Sequence, residues 1–278
     1  MNDPFLMQRE LRYGYPVCDQ LLTGRNLTVG YSWYFRQAKW TLEIVRRDWE
    51  LINDTVPEFE RLDNFRADTR IPQRFRAGLK AYKGSGYDRG HLVASANADQ
   101  LLIQNSETFL LSNMSPHHPD LNRKRWRELE EAIRELDARE DVLETYVLTC
   151  PVFYFGEPIE RIGKNLPDFG ISVPVPHAFI KSVLIEDLDG RHRLWTFKME
   201  NPPLVADPAA PDPLANRDLA SYLMKTYDAE QLVGGKFWDG ISGGDLHAPK
   251  GGGKKIEAMW PKDPKAKFQG LKHEPPAL

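Results

Sequence analysis

Two apolar stretches near the start of the chain, Leu27 to Tyr34 and Trp40 to Val45, are separated by a polar turn and predict a pair of strands. From Asn122 to Arg139 the apolar residues Trp126, Leu129, Ile133 and Leu136 recur at three- and four-residue intervals, which predicts a helix with one buried face. Thr145 to Phe155 is β-branched and aromatic enough to predict a buried strand. Ala178 to Glu186 and Arg191 to Met199 flank Asp189-Gly190, a pair that favours a hairpin turn. Residues 61 to 90 alternate charged and small side chains around Pro72 and Gly84-Ser85-Gly86, the composition of a loop. After Asn201 prolines dominate as far as Pro213, and a short helix is expected over Ala215 to Thr226. Strands, a helix and strands again make an α+β chain. The expected division is a domain over 1–240 and a Gly/Pro/Lys-rich tail over 241–278 in extended form.

Composition narrows this picture in two ways. The 278 residues hold an ordinary share of apolar side chains, enough to bury one sizeable core. A formal net charge of -3 is not that of a basic nucleic-acid-binding domain, so any surface that meets phosphate must be local. Cys18 and Cys150 lie far apart with no metal-ligand spacing, so no disulfide framework is expected and a reducing compartment is permitted. The N-terminal residues lack the apolar core of a secretory signal, and no apolar run approaches the roughly 20 residues that cross a bilayer. The expectation is a protein with no membrane association, resident in the cytoplasm.

The chemistry gathers around Asp88-Arg89-Gly90-His91. Taken alone, that string is as compatible with a surface or satisfied core histidine as with a site. It stands, however, within Lys83-Gly84-Ser85-Gly86-Tyr87-Asp88-Arg89-Gly90-His91-Leu92, followed by Phe109-Leu110-Leu111-Ser112-Asn113-Met114-Ser115-Pro116, then Asp120-Leu121-Asn122 and Trp126. In this order and spacing the set resembles the DNA/RNA non-specific endonuclease family, most closely its endonuclease G branch. Leu11-Arg12-Tyr13-Gly14-Tyr15-Pro16, Trp40-Thr41-Leu42-Glu43 and Val173-Pro174-Val175-Pro176-His177-Ala178-Phe179-Ile180-Lys181 extend the resemblance over about residues 11 to 235. The fold it implies is the ββα-metal, or His-Me finger, nuclease: a central antiparallel sheet with a metal-binding helix packed beside it. The activity it implies is metal-dependent hydrolysis of DNA and RNA with low sequence specificity, because contacts to the phosphate backbone carry no sequence information.

Phosphodiester hydrolysis needs a base for water, a cation for the phosphate charge and help for the leaving oxygen. By the resemblance His91 is the general base, and a reference pKa of about 6.5 leaves much of an imidazole neutral and able to accept a proton. Asn113 matches the position beside the base, where it would orient the ring; a turn asparagine is the alternative. Asn122 matches the direct metal ligand. One neutral amide oxygen leaves most of the coordination sphere to water, which suits magnesium, with manganese as the alternative ion; capping the following helix is a role Asn122 can fill as well. Glu130 matches the helix glutamate. Eight residues from Asn122 on an ideal α-helix give an offset of about 80° and a rise of roughly 12 Å, so Glu130 is expected in the outer shell, reaching metal-bound water.

Arg89 offers planar donors to a phosphate or a carboxylate, and Asp88 is expected to fix the loop by pairing with an arginine. Arg66 is a candidate for meeting substrate from the opposite wall. His117, beside His118 and near Asp120, departs from the family and is a candidate for touching substrate or altering the choice of metal. Lys250, Lys254, Lys255, Lys262, Lys265 and Lys267 are phosphate contacts or a solvated tail. The expected partners are DNA and RNA, a second copy in a homodimer, and an inhibitory or regulatory protein. Two other functions stay open: a phosphodiesterase of small nucleotides, and a nuclease-like domain used for nucleic-acid binding or assembly.

Overall fold

The computed structural model describes residues 8–25, 27–45, 60–98, 101–163, 172–205, 212, 214–215, 218–241 and 250. The chain begins with strands β1 (Gln20–Thr23), β2 (Leu27–Ser32) and β3 (Gln37–Val45), an antiparallel meander. Short helix α1 (Leu79–Tyr82), strand β4 (Asp88–His91), helix α2 (Leu102–Thr108), strand β5 (Met114–His117) and helix α3 (Arg127–Asp137) follow. Then come β6 (Val142–Val152), β7 (Arg161–Ile162), β8 (Val173–Pro174), β9 (Ala178–Asp187), β10 (His192–Glu200), β11 (Leu223–Met224) and helix α4 (Thr226–Val233).

Seven strands make the central sheet in the order β1-β2-β3-β6-β9-β10-β11, every neighbouring pair antiparallel. The β9–β10 hairpin turns where Asp189-Gly190 predicts it: Gly190 adopts φ 79°, a left-handed conformation that a side chain disfavours. Helix α3 lays Leu129, Ile133 and Leu136, with Trp126 just before them, onto one face of the sheet among Val29, Val147, Phe179 and Val183. The opposite face buries Trp40, Leu42, Ile44, Tyr146, Leu148, Ile180 and Leu184 beneath Leu11 and Tyr13 and, from beyond α4, Phe237 and Trp238. Each large side chain removed from water contributes roughly 1.5–3 kcal/mol.

Several boundaries shift from the pattern-based expectations. The first strand ends at Ser32 rather than Tyr34, and the turn through Arg36 (φ 58°) lets the second begin at Gln37. The strand expected from Thr145 starts at Val142 and stops at Val152. Asp88 to Gly90, the end of the stretch expected as loop, belongs with His91 to a strand because Met114 to His117 pairs with it. Among the described residues of Ala215 to Thr226 the expected helix is not formed. Leu219–Tyr222 is a single 3₁₀ turn capped by Asp218, the edge of β10 recruits Leu223 and Met224, and helix begins at Thr226. A strand edge with unpaired backbone groups outweighs local helix propensity here. Of the expected tail only Ile241 and Lys250 are described; the lysines from 254 onward lie outside the described residues. Lys250 is buried and pairs with Glu230 at 2.8 Å and Asp239 at 3.2 Å, which corrects its reading as a phosphate contact.

Candidate functional site

Strands β4 and β5 pair as a small ribbon, with Asp88 opposite His117, Arg89 opposite Pro116, Gly90 opposite Ser115 and His91 opposite Met114. A π-helical segment, Leu121–Trp126, follows β5 and runs into α3, so two strands and a helix enclose the motif. Gly90 is there for space: a Cβ at that position would lie 1.9 Å from Nδ1 of His117. His117 itself is fully buried, stacked 3.8 Å from the Phe179 ring and with Nδ1 3.0 Å from the Ser115 carbonyl. Burial pushes its pKa down to about 4. The expectation that His117 touches substrate is therefore corrected, since the ring is packing beneath the ribbon with no surface to offer.

His91 sits beside two aromatic rings, 5.7 Å from Phe65 and edge-on to Phe109 at 5.0 Å. Its Nε2 is enclosed and has no hydrogen-bond partner among the described residues. Burial first, then the charges of Arg61, His117 and Arg89, lower its pKa to about 3, so the imidazole is neutral at ordinary pH. The backbone around it is pinned from three sides. Trp126 donates its indole N–H to the His91 carbonyl at 3.1 Å, and the Lys181 ammonium donates to the Leu92 carbonyl at 3.1 Å. The Asn113 carbonyl accepts from the Leu92 N–H at 3.0 Å, while its side chain accepts from the Val93 N–H and donates to the Val93 and Thr108 carbonyls. Asn113 thus holds the chain that carries His91 rather than bonding the ring.

Asn122 lies inside the π-helical segment, not at its cap, and its Nδ2 donates to Asp88 Oδ2 at 3.0 Å. Only the nitrogen of the amide can face a carboxylate, so the amide oxygen is turned away from Asp88. Asp88 finds its arginine in Arg123, which grips both carboxylate oxygens at 2.9 and 2.7 Å, and the pairing ties β4 to the helix instead of fixing a loop. These hydrogen bonds hold the Asp88 carboxyl below its ordinary range despite partial burial. Among the described residues no three His, Cys, Asp or Glu converge as a cage for a metal ion. A single oriented amide oxygen fits a hard cation that keeps most of its own water, as magnesium does.

Glu130, on α3, has Oε1 enclosed without a hydrogen-bond partner among the described residues. Burial, opposed by Lys181, raises its pKa to about 7. The wider i→i+5 winding before α3 also alters the α-helical spacing expected between Asn122 and Glu130. Arg89 is exposed, its guanidinium 3.9 Å from the centre of the Phe65 ring and free to face a phosphate. Arg66 bridges to Leu110 and directs Nη1 to the Ser106 carbonyl at 2.9 Å and the Asn64 carbonyl at 3.3 Å, so its donors are partly engaged.

Sequence reasoning missed four contributors. Phe65 forms an aromatic wall for both His91 and Arg89, and Arg61 adds positive charge beside His91. Trp126 was legible as core but not as the donor to His91, although a buried indole N–H usually finds an acceptor. Lys181 was one letter of a matched strand.

The chain matches the family model for DNA/RNA non-specific endonucleases over residues 9–243. It belongs to that family. Membership places the chain among hydrolases of nucleic-acid ester bonds. It is 32% identical over 213 residues to a nuclease of Nostoc sp., covering 76% of this chain and 72% of the relative. It is 33% identical over 197 residues to the mitochondrial endonuclease G of Homo sapiens, covering 69% of this chain and 64% of that protein. A mitochondrial endonuclease G of Caenorhabditis elegans is 29% identical over 196 residues, with 69% of this chain and 62% of the relative covered. The chain therefore spans under two thirds of both endonuclease G relatives. A crystal structure of an EndoG/EndoGI complex, described as showing the mechanism of EndoG inhibition, superposes with a TM-score of 0.69 at 27% identity. It covers 84% of this chain and 91% of that one, and the α+β architecture with its large antiparallel sheet is shared.

Proposed function

We propose that the protein is a metal-dependent endonuclease that cuts the phosphodiester backbone of both DNA and RNA, with His91 as general base. The observation that carries this reading is the joint setting of His91 and Asn122. A neutral imidazole is fixed on β4, and the adjoining helix presents an amide oriented by the same strand's Asp88. Asn122 would hold one magnesium or manganese ion, which when bound neutralises phosphate charge and eases departure of the leaving oxygen. His91 accepts the proton of the attacking water. Arg89 meets a phosphate oxygen from the exposed side of the ribbon, Arg66 stands on the neighbouring segment as a weaker candidate, and Asn113 keeps the base in place. Glu130 is assigned to ordering solvent at the outer edge of the ion. Because every one of these contacts is to backbone phosphate or water, both nucleic acids qualify as substrates.

The similar EndoG/EndoGI complex is one in which EndoG is inhibited. On that likeness, an inhibitory protein partner is proposed for this chain too, and self-association as a homodimer follows from the resemblance to endonuclease G. Digestion of plasmid DNA and of RNA with magnesium, with manganese and with chelator, comparing wild type with His91→Ala and Asn122→Ala, tests the proposal. Cutting of both substrates that is abolished by chelator is the expected result; full activity of His91→Ala or in chelator refutes the corresponding assignment.

A further inference from the structure

A lysine is buried in the middle of the sheet, beneath the helix that carries the site. Lys181 is 1% exposed on the central strand β9, at a position whose same-face neighbours Phe179 and Val183 are ordinary core. An apolar side chain would fill that place without the cost of removing an ammonium from water. Two acidic side chains, Glu43 on β3 and Glu130 on α3, lie close enough for their fields to favour the charge. Glu43 in turn is tied to the helix through Asn97, which donates to it at 2.9 Å and accepts from Arg134 at 3.1 Å.

What the ammonium touches shows what it does. Nζ donates to the Leu92 carbonyl at 3.1 Å and to Thr149 Oγ1 at 3.0 Å, and it lies 4.6 Å from the centre of the Trp126 ring. Trp126 in its turn donates to the carbonyl of His91. Two successive carbonyls, those of His91 and Leu92, are thereby held by two side chains that also hold each other. One comes from the helix four residues after Asn122, and the other from the rigid centre of the sheet. The three N–H donors of an ammonium find two oxygens and one aromatic face, which fixes its direction.

We infer that Lys181 is a positioning residue for His91, gripping the Leu92 carbonyl and the Trp126 ring together so that the base is set at a fixed distance from the helix bearing Asn122. The inference rests on the proposed role of His91 as base. Lys181 touches neither substrate nor metal in this account; it acts through the backbone on which the imidazole is mounted. A displacement of about 1 Å at a reacting group lowers rates on the order of 10²-fold, so loss of the ammonium is expected to act on kcat with little change in KM.

The test is a comparison of Lys181→Met in two backgrounds, using plasmid cleavage with magnesium. In the otherwise wild-type protein kcat is expected to fall by about 10²-fold. In His91→Ala, read at its residual activity and again with added imidazole, Lys181→Met is expected to change the rate by no more than about twofold, because no mounted base is left to misplace. An equal fold-loss in both backgrounds would overturn the inference and make Lys181 a general support of the fold. Full activity of His91→Ala by itself would instead overturn the base assignment. Should Lys181→Met lose its fold by circular dichroism, Trp126→Phe carries the same comparison on the other half of the clamp, since it keeps an aromatic face for the ammonium and removes the indole N–H that bonds the His91 carbonyl, at the cost of some buried volume.

Discussion

The two faces of the central sheet come from the same strands and bury different things. On the face away from the site, alternate residues of β3, β6 and β9 supply Trp40, Leu42, Ile44, Tyr146, Leu148, Ile180 and Leu184. The polar Ser182 on that side is satisfied by the indole N–H of Trp238. On the face beneath α3 the intervening positions include Glu43 and the row Thr41, Thr149 and Lys181, whose residues sit opposite one another across the three strands. Glu43, 2% exposed, and Lys181, 1% exposed, are nearly as buried as the leucines behind them. Apolar burial stabilises wherever it occurs, whereas buried charges are costly unless paired, so the second face is held by a polar network that also fixes the chain at His91. One face makes the sheet stable; the other makes it a mount.

Substitutions on the two faces should therefore separate activity from stability. The largest effect is expected for His91→Ala, a loss of about two to four orders of magnitude in the rate of plasmid cleavage per folded molecule, far beyond what the lost packing of one ring does to stability. Leu148→Ala on the opposite face should do the reverse. It is expected to cost about 2–5 kcal/mol in urea unfolding while the rate per folded molecule stays within about twofold. A large fall in that rate would erase the distinction between the faces.

The pH dependence sharpens the same contrast. The Glu130 pKa rises from its ordinary 4.5 to about 7, so the ionised form is disfavoured in the folded protein. Its contribution to stability is present below about pH 4.5 and is lost as pH rises through about 7. In chelator, Glu130→Gln should equal wild type in stability near pH 4.5 and exceed it at pH 8; a Gln variant less stable at pH 8 contradicts the burial argument. For His91 the sign is opposite. Its pKa falls from 6.5 to about 3, so the stability contributed by the neutral ring is present above about pH 6.5 and is lost as pH falls toward 3. The kcat/KM profile of the free enzyme is accordingly expected to show no acid limb from His91 between pH 7 and 5; a limb there that disappears in His91→Ala counts against the buried setting. The smallest effect belongs to Glu131, next to Glu130 but pointing outward, where it pairs with Arg127 at 3.6 Å among exposed side chains. Glu131→Ala should shift unfolding by less than about 0.5 kcal/mol and leave the rate alone.

The strands, the site helix and the β9–β10 hairpin were legible because their signals are local: period-two and three-to-four spacing, and Asp189-Gly190 at the turn. Membership of the family was legible in a spaced set running from Asp88 to Trp126. What could not be read locally was set by register. His117 is buried because it faces the glycine of the opposite strand and stacks on Phe179, partners 27 and 62 residues away in the chain. Lys181 acquires its role only when β9 is laid against β6 and the helix crosses above it. The π-helical winding at Leu121–Trp126 has no pattern in Leu-Asn-Arg-Lys-Arg-Trp that distinguishes it from an α-helix, and the strand at Leu223–Met224 exists because an edge was available.

The central claim, a base on the ribbon and a metal-holding amide on the helix, is tested most directly by the magnesium dependence of plasmid cleavage in wild type, His91→Ala and Asn122→Ala. The account predicts that His91→Ala lowers the plateau by about two to four orders of magnitude and leaves the half-saturating magnesium concentration in place. Asn122→Ala is predicted to move the half-saturating concentration upward, because a direct ligand is lost. A curve for Asn122→Ala that overlies wild type, or a His91→Ala plateau that equals it, would contradict the account.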